Sequence, residues 1–66
     1  MEENNVSKNI RQLRTIAKLK QSELAAMLNV SAKLISHWET GYSEPSISQL
    51  IALSRIFNVT IDELIL

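Results

Sequence analysis

Glycine and proline each occur once in this chain, at Gly41 and Pro45, close enough to share one loop. They are the strongest interrupters of regular structure, so everything outside that loop must be divided by weaker signals. Those signals are helix caps. "SISQ" sets Ser46 three residues ahead of Gln49, "TIDE" sets Thr60 three ahead of Glu63, and Ser31 follows the turn-like "LNV". A hydroxyl there accepts from the backbone three residues on, and a Glu or Gln at that position reaches back, so each pattern opens a helix. No apolar/polar alternation marks a strand, and there is no internal repeat or low-complexity segment. The expectation is an all-α domain of five short helices.

Val6, Ile10, Leu13 and Ala17 recur at helical spacing opposite Lys8, Arg11 and Lys18, which predicts an amphipathic first helix over residues 6–18. "QSELAAML", residues 21–28, is the second, with Leu24, Ala25 and Leu28 inward. Asn29 suits the left-handed conformation that ends a helix, so the chain can turn sharply and restart at Ser31. Ile47, Leu50, Ile51, Ile56 and Phe57 belong to a fourth helix, and Ile61, Leu64 and Ile65 to a short fifth. With 66 residues, 45% of them hydrophobic, there is material for one domain with a thin core. Residues 1–5 read as a flexible amino-terminal tail and residues 6–66 as the domain.

Composition removes several functions. There is no cysteine and one histidine, His37, so neither disulfide nor metal cluster is expected, and a reducing cytoplasm is the natural compartment. His37 has no acid or nucleophile partner in the sequence, and no glycine-rich phosphate loop is present. The chain therefore reads as no enzyme, with no catalytic residue, metal or cofactor. No apolar run reaches the length that spans a bilayer. The net charge is zero, yet residues 8–37 hold six basic side chains (Lys8, Arg11, Arg14, Lys18, Lys20, Lys33) against the single acid Glu23. A neutral molecule with one basic face is compatible with a phosphate backbone as partner.

Eight residues of helix, a three-residue turn and about nine more of helix form the arithmetic of a helix-turn-helix. On a wheel of the third helix, Ala32, Lys33, Ser36 and His37 share an arc of roughly 140°, with Ile35 and Trp38 on the opposite side. Leu34 and Glu39 stand at the borders, and Leu34 has no evident role.

The segment "LKQSELAAMLNVSAKLISHWETGYSEPSISQLIALSRIFNVTIDELI" carries a resemblance. With "IRQLR" in the first helix, it is similar to the Cro/repressor type of helix-turn-helix, the lambda-repressor-like or xenobiotic-response-element family, over residues 6–65. The resemblance implies a compact five-helix DNA-binding domain whose third helix enters the major groove. It assigns base reading to Ala32, Lys33, Ser36 and His37. Gln21 would contact a phosphate and steady a base-reading side chain, and the loop after Gly41 matches backbone contacts to phosphate, which makes Tyr42 and Ser43 candidates. Beside what the resemblance implies, Lys20 and Ser31 are expected to hold phosphates. Arg14 and Glu39 would pair between the first helix and the end of the third. Lys20 departs from the family's usual capping hydroxyl, Asn29 replaces its usual turn glycine, and Leu34 stands where a small hydroxyl residue is common.

The resulting expectation is a sequence-specific transcriptional regulator, a repressor from a bacterium, phage or mobile element, acting as a homodimer on a palindromic operator. Its half-sites would lie about 34–36 Å apart, one turn of B-DNA. The apolar carboxyl end, "IDELIL", and the end of the fourth helix are the expected dimer contact. The competing expectation is a protein-interaction module, such as an antitoxin or anti-regulator built on the same fold.

Overall fold

A computed structural model describes residues 4–66. It holds five helices, α1 (Val6–Ile16), α2 (Gln21–Leu28), α3 (Ala32–Thr40), α4 (Ile47–Phe57) and α5 (Ile61–Ile65), and no strand among the described residues. The core draws on every one of them: Val6 and Ile10, Leu24 and Ala25, Ile35 and Trp38, Leu53, and Leu64 are all buried. Trp38 is the largest side chain in this group, and its indole Nε1 finds no acceptor among the described residues.

Three caps form as the sequence indicates. Ser31 Oγ accepts from Leu34 N at 3.1 Å, and Ser46 and Thr60 each form the reciprocal box with Gln49 and Glu63. At α2 a lysine occupies the cap, and an ammonium has no lone pair to offer the backbone. Half of a box survives, because Glu23 Oε1 accepts from Lys20 N at 2.7 Å. A carboxylate in the first turn also offsets the lysine charge at the positive end of the helix.

Helices α1 to α4 all end in the same closure. Lys18, Asn29, Gly41 and Asn58 take the left-handed conformation. The N–H of each bonds to the carbonyl three residues back, and the following N–H (Leu19, Val30, Tyr42, Val59) reaches five residues back, to Arg14, Ala25, His37 and Ser54. This is the Schellman arrangement, which satisfies the last carbonyls of a helix. At Asn29 it produces the turn of the helix-turn-helix. At Lys18 it ends α1 at Ile16, two residues short of the expected helix over 6–18, and leaves Ala17 exposed.

Two further expectations change. Asn4 and Asn5, read as tail, are bonded: Asn5 N to Ile65 O at 2.8 Å, Asn5 Nδ2 to Leu66 O and Asn4 Nδ2 to Glu44 Oε2 at 2.9 Å. The rest of that tail, residues 1–3, lies outside the described residues. In α4 the fully buried side chain is Leu53, while Ile47 is 77% exposed and Ile51 lies at the surface. Ile56 and Phe57, at the end of α4, are half-buried against the core.

Candidate nucleic-acid interface

The interface is built on α2 and α3, and its foundation is a buried ionic clamp. Arg14 Nε donates to Glu39 Oε2 at 2.6 Å and Nη2 to Oε1 at 3.0 Å, with side-chain exposures of 16% and 3%. Gln21 Nε2 donates to Glu39 Oε1 at 3.1 Å, and Arg14 Nη1 to Leu19 O at 2.8 Å. One carboxylate thus ties α1, the start of α2 and the end of α3 together, and the same guanidinium holds the α1–α2 connection. Burial pushes the Glu39 carboxyl up, but bonds from Arg14 and Gln21, with Arg14 and Arg11 charges nearby, outweigh it and hold the pKa below the usual carboxylate value. The bond to Glu39 raises the Arg14 pKa against the opposing effect of burial.

With α3 fixed at both edges, its outward residues are set in place. Ala32 and Lys33 are exposed, and Ser36 and His37 are half-buried. Ile35 and Trp38, on the other side, are in the core. Leu34 packs against that core as a partly buried neighbour, which gives the unassigned residue of the sequence a packing role.

The expected phosphate contacts divide. Lys20 and Ser31 are exposed at the starts of α2 and α3, and Ser31 Oγ serves as the cap while its hydroxyl hydrogen stays available. Gln21 is half-buried, and the side chain it steadies is Glu39 at the end of α3, not one of the four outward residues. Tyr42 is 79% exposed. Ser43 does not offer itself: its Oγ is buried without a partner among the described residues, and its N–H bonds to His37 O at 3.3 Å.

Sequence reasoning missed one aromatic relationship. The rings of His37 and Tyr42 lie with centroids 4.5 Å apart, tilted by 47°. The signal was there, since a left-handed Gly41 brings the residue after it back over the helix it closes. Around the helix-turn-helix, Lys8, Arg11 and Lys18 are exposed, so α1 adds basic surface. No cluster of three or more metal-ligating side chains occurs among the described residues.

A helix-turn-helix family model matches residues 10–64. That span takes in α2, the Asn29 turn and α3 whole, together with α4 and most of α5. The chain belongs to the helix-turn-helix family. Among relatives of this helix-turn-helix domain is the HTH-type transcriptional activator BcrR of Enterococcus faecalis, 46% identical over 56 residues, which are 85% of this chain and 28% of BcrR. A transcriptional regulator from Listeria innocua superposes with a TM-score of 0.93 at 30% identity, over 97% of this chain and 60% of that one. The P22 c2 repressor, solved in complex with a synthetic operator, superposes with a TM-score of 0.84 at 33% identity, over 97% of this chain and 94% of the chain in that structure. The helix-turn-helix domain therefore spans under a third of BcrR and under two thirds of the Listeria regulator. No helix among the described residues is long and apolar enough to cross a membrane.

Proposed function

We propose that the chain is a sequence-specific double-stranded DNA-binding domain of a cytoplasmic transcriptional regulator, reading the major groove with α3. The observation that carries this is the fixed outward row Ala32, Lys33, Ser36 and His37, held by the Arg14–Glu39–Gln21 clamp and flanked by exposed Lys20 and Ser31. Lys33 can donate to guanine O6 and N7, Ser36 to several edges, and Ala32 admits a thymine methyl. Lys20, Ser31 and Gln21 position the domain on phosphates. The relatives include an activator and a repressor, so the proposal is of operator binding with either regulatory outcome.

Two copies would bind together. Leu50 and Ile65 line a groove between the start of α4 and the chain end, and their neighbours Ile47, Ile51 and Leu66 are exposed apolar residues. The exposure of Ile47, Ile51 and Leu66 supports a self-contact at the start of α4 and the chain end, whereas Ile56 and Phe57 at the end of α4 are half-buried against the core.

Selection of binding sites from random duplexes tests the reading. A palindromic consensus is the expected result, with affinity falling log-linearly with salt at a slope near −0.9 per phosphate contacted. Enrichment of no duplex, together with capture of a protein partner whose affinity barely responds to salt, would overturn it in favour of a protein-interaction module.

A further inference from the structure

We propose that Tyr42 is a positioning residue for His37, so that the two rings act as one base-reading unit at the end of α3. This rests on the operator-binding reading above. It departs from the simple assignment of Tyr42 to phosphate.

The inference starts from the four matching helix ends. In each closure the residue after the left-handed position is carried back against the helix, and an apolar side chain there usually packs inward. Leu19, Val30 and Val59 do so, packing as partly buried side chains against the core. The fourth is Tyr42, which has the same backbone bond, to His37 O at 2.9 Å, yet is 79% exposed. The ring it meets is the His37 imidazole, 4.5 Å away. The closure that elsewhere seals the core is used here on the outward face.

The consequence is a restricted imidazole. A histidine near the end of an exposed helical face otherwise samples several rotamers, and binding through it costs the freedom that is lost. An aromatic neighbour at 4.5 Å narrows that choice before any ligand arrives. The backbone beneath is equally fixed, because His37 O accepts from both Tyr42 N and Ser43 N. A pre-set imidazole distinguishes base edges by direction, whereas a phosphate contact adds the same affinity to every sequence. Tyr42 stands outside the core, so replacing it leaves the buried packing intact.

The test compares wild type, His37→Ala, Tyr42→Ala and Tyr42→Phe by site selection, with the His37 ring followed by NMR in the DNA-free protein. Tyr42→Ala is expected to lose about fivefold or more in discrimination at the same base pair as His37→Ala, and to move the His37 ring resonances toward free-histidine positions. Tyr42→Phe keeps the ring, so its preference is expected within about twofold of wild type, with unmoved His37 resonances. A Tyr42→Ala variant that weakens all duplexes alike, with Tyr42→Phe doing the same, overturns the inference and returns Tyr42 to phosphate contact through its hydroxyl. Unmoved His37 resonances in Tyr42→Ala also overturn it. If wild type enriches no duplex, the operator-binding reading itself fails and takes this inference with it.

Discussion

Arg14 and Glu39 meet as a two-pronged pair, Nε to Oε2 and Nη2 to Oε1, in a site where the carboxylate side chain is only 3% exposed. A buried pair gains little over a well-packed apolar substitute, but removing one member strands the other charge. Arg14→Ala leaves the Glu39 carboxylate with Gln21 alone and releases Leu19 O, so it should cost about 3–5 kcal/mol. Glu39→Ala should cost less, since Arg14 is the more exposed partner and can turn to water. Urea denaturation of both variants checks the order, and two midpoints equal to wild type would refute the clamp.

The same pair sets an acid limit on stability. The folded pKa of Glu39 lies below its unfolded value, which is about 4.3 for a glutamate. Its contribution is therefore complete above that value and is lost as pH falls through the folded pKa. Unfolding midpoints measured from pH 7 to pH 2 should stay level and then drop in the acid range. Glu39→Gln should start lower and show a shallower acid limb, and an unchanged limb would remove Glu39 as its source.

Lys18 closes α1 with a φ of 60°, a conformation that costs a residue with a Cβ about 1–2 kcal/mol. Glycine takes it freely but adds entropy to the unfolded chain, which offsets part of the gain. Lys18→Gly should therefore stabilise the domain by about 0.5–1 kcal/mol. A thermal melt showing destabilisation would contradict the closure at Lys18.

Trp38 carries a buried N–H with no acceptor among the described residues, at the centre of the core. Trp38→Ala should cost about 3–5 kcal/mol through the cavity it opens. Trp38→Phe also removes volume, but it removes the unpaired donor as well, whose burial costs about 1–3 kcal/mol. Its net effect should fall below about 1.5 kcal/mol, read by chemical denaturation. Equal losses in the two variants would mean that the indole N–H is satisfied in solution.

On DNA, Lys33 and Lys20 should separate. Lys33→Ala should change the preferred bases, losing about 1–3 kcal/mol of discrimination at one pair. Lys20→Ala should weaken all duplexes alike and reduce the salt slope by about one. Titrations at several salt concentrations, on the selected duplex and on a scrambled one, measure both. Reversed behaviour would exchange the two roles.

Much of this protein is legible in its sequence because the signals are local. Ser46 with Gln49 and Thr60 with Glu63 lie within one helical turn of their partners, so the backbone that pairs them is the one they start. Asn29 could be assigned to the turn for the same reason, and the outward arc of α3 follows from helical period alone. Family resemblance supplied what locality could not, the pairing of Arg14 with Glu39. Other features belong to packing between distant segments. In α4 the run "ISQLIALSRIF" is apolar on several sides, so no wheel selects Leu53 as the buried residue, and only the neighbouring helices do. Ser43 turns its hydroxyl inward, Asn5 bonds to Leu66, and Tyr42 rests on His37 instead of the core. Local sequence marks where most of these helices start and turn, because those choices are made within a few residues, while α1 stops earlier than its pattern suggests, in the closure at Lys18. Tertiary structure decided which apolar face is buried and which polar groups stay available to a partner, because each depends on what the rest of the chain places opposite.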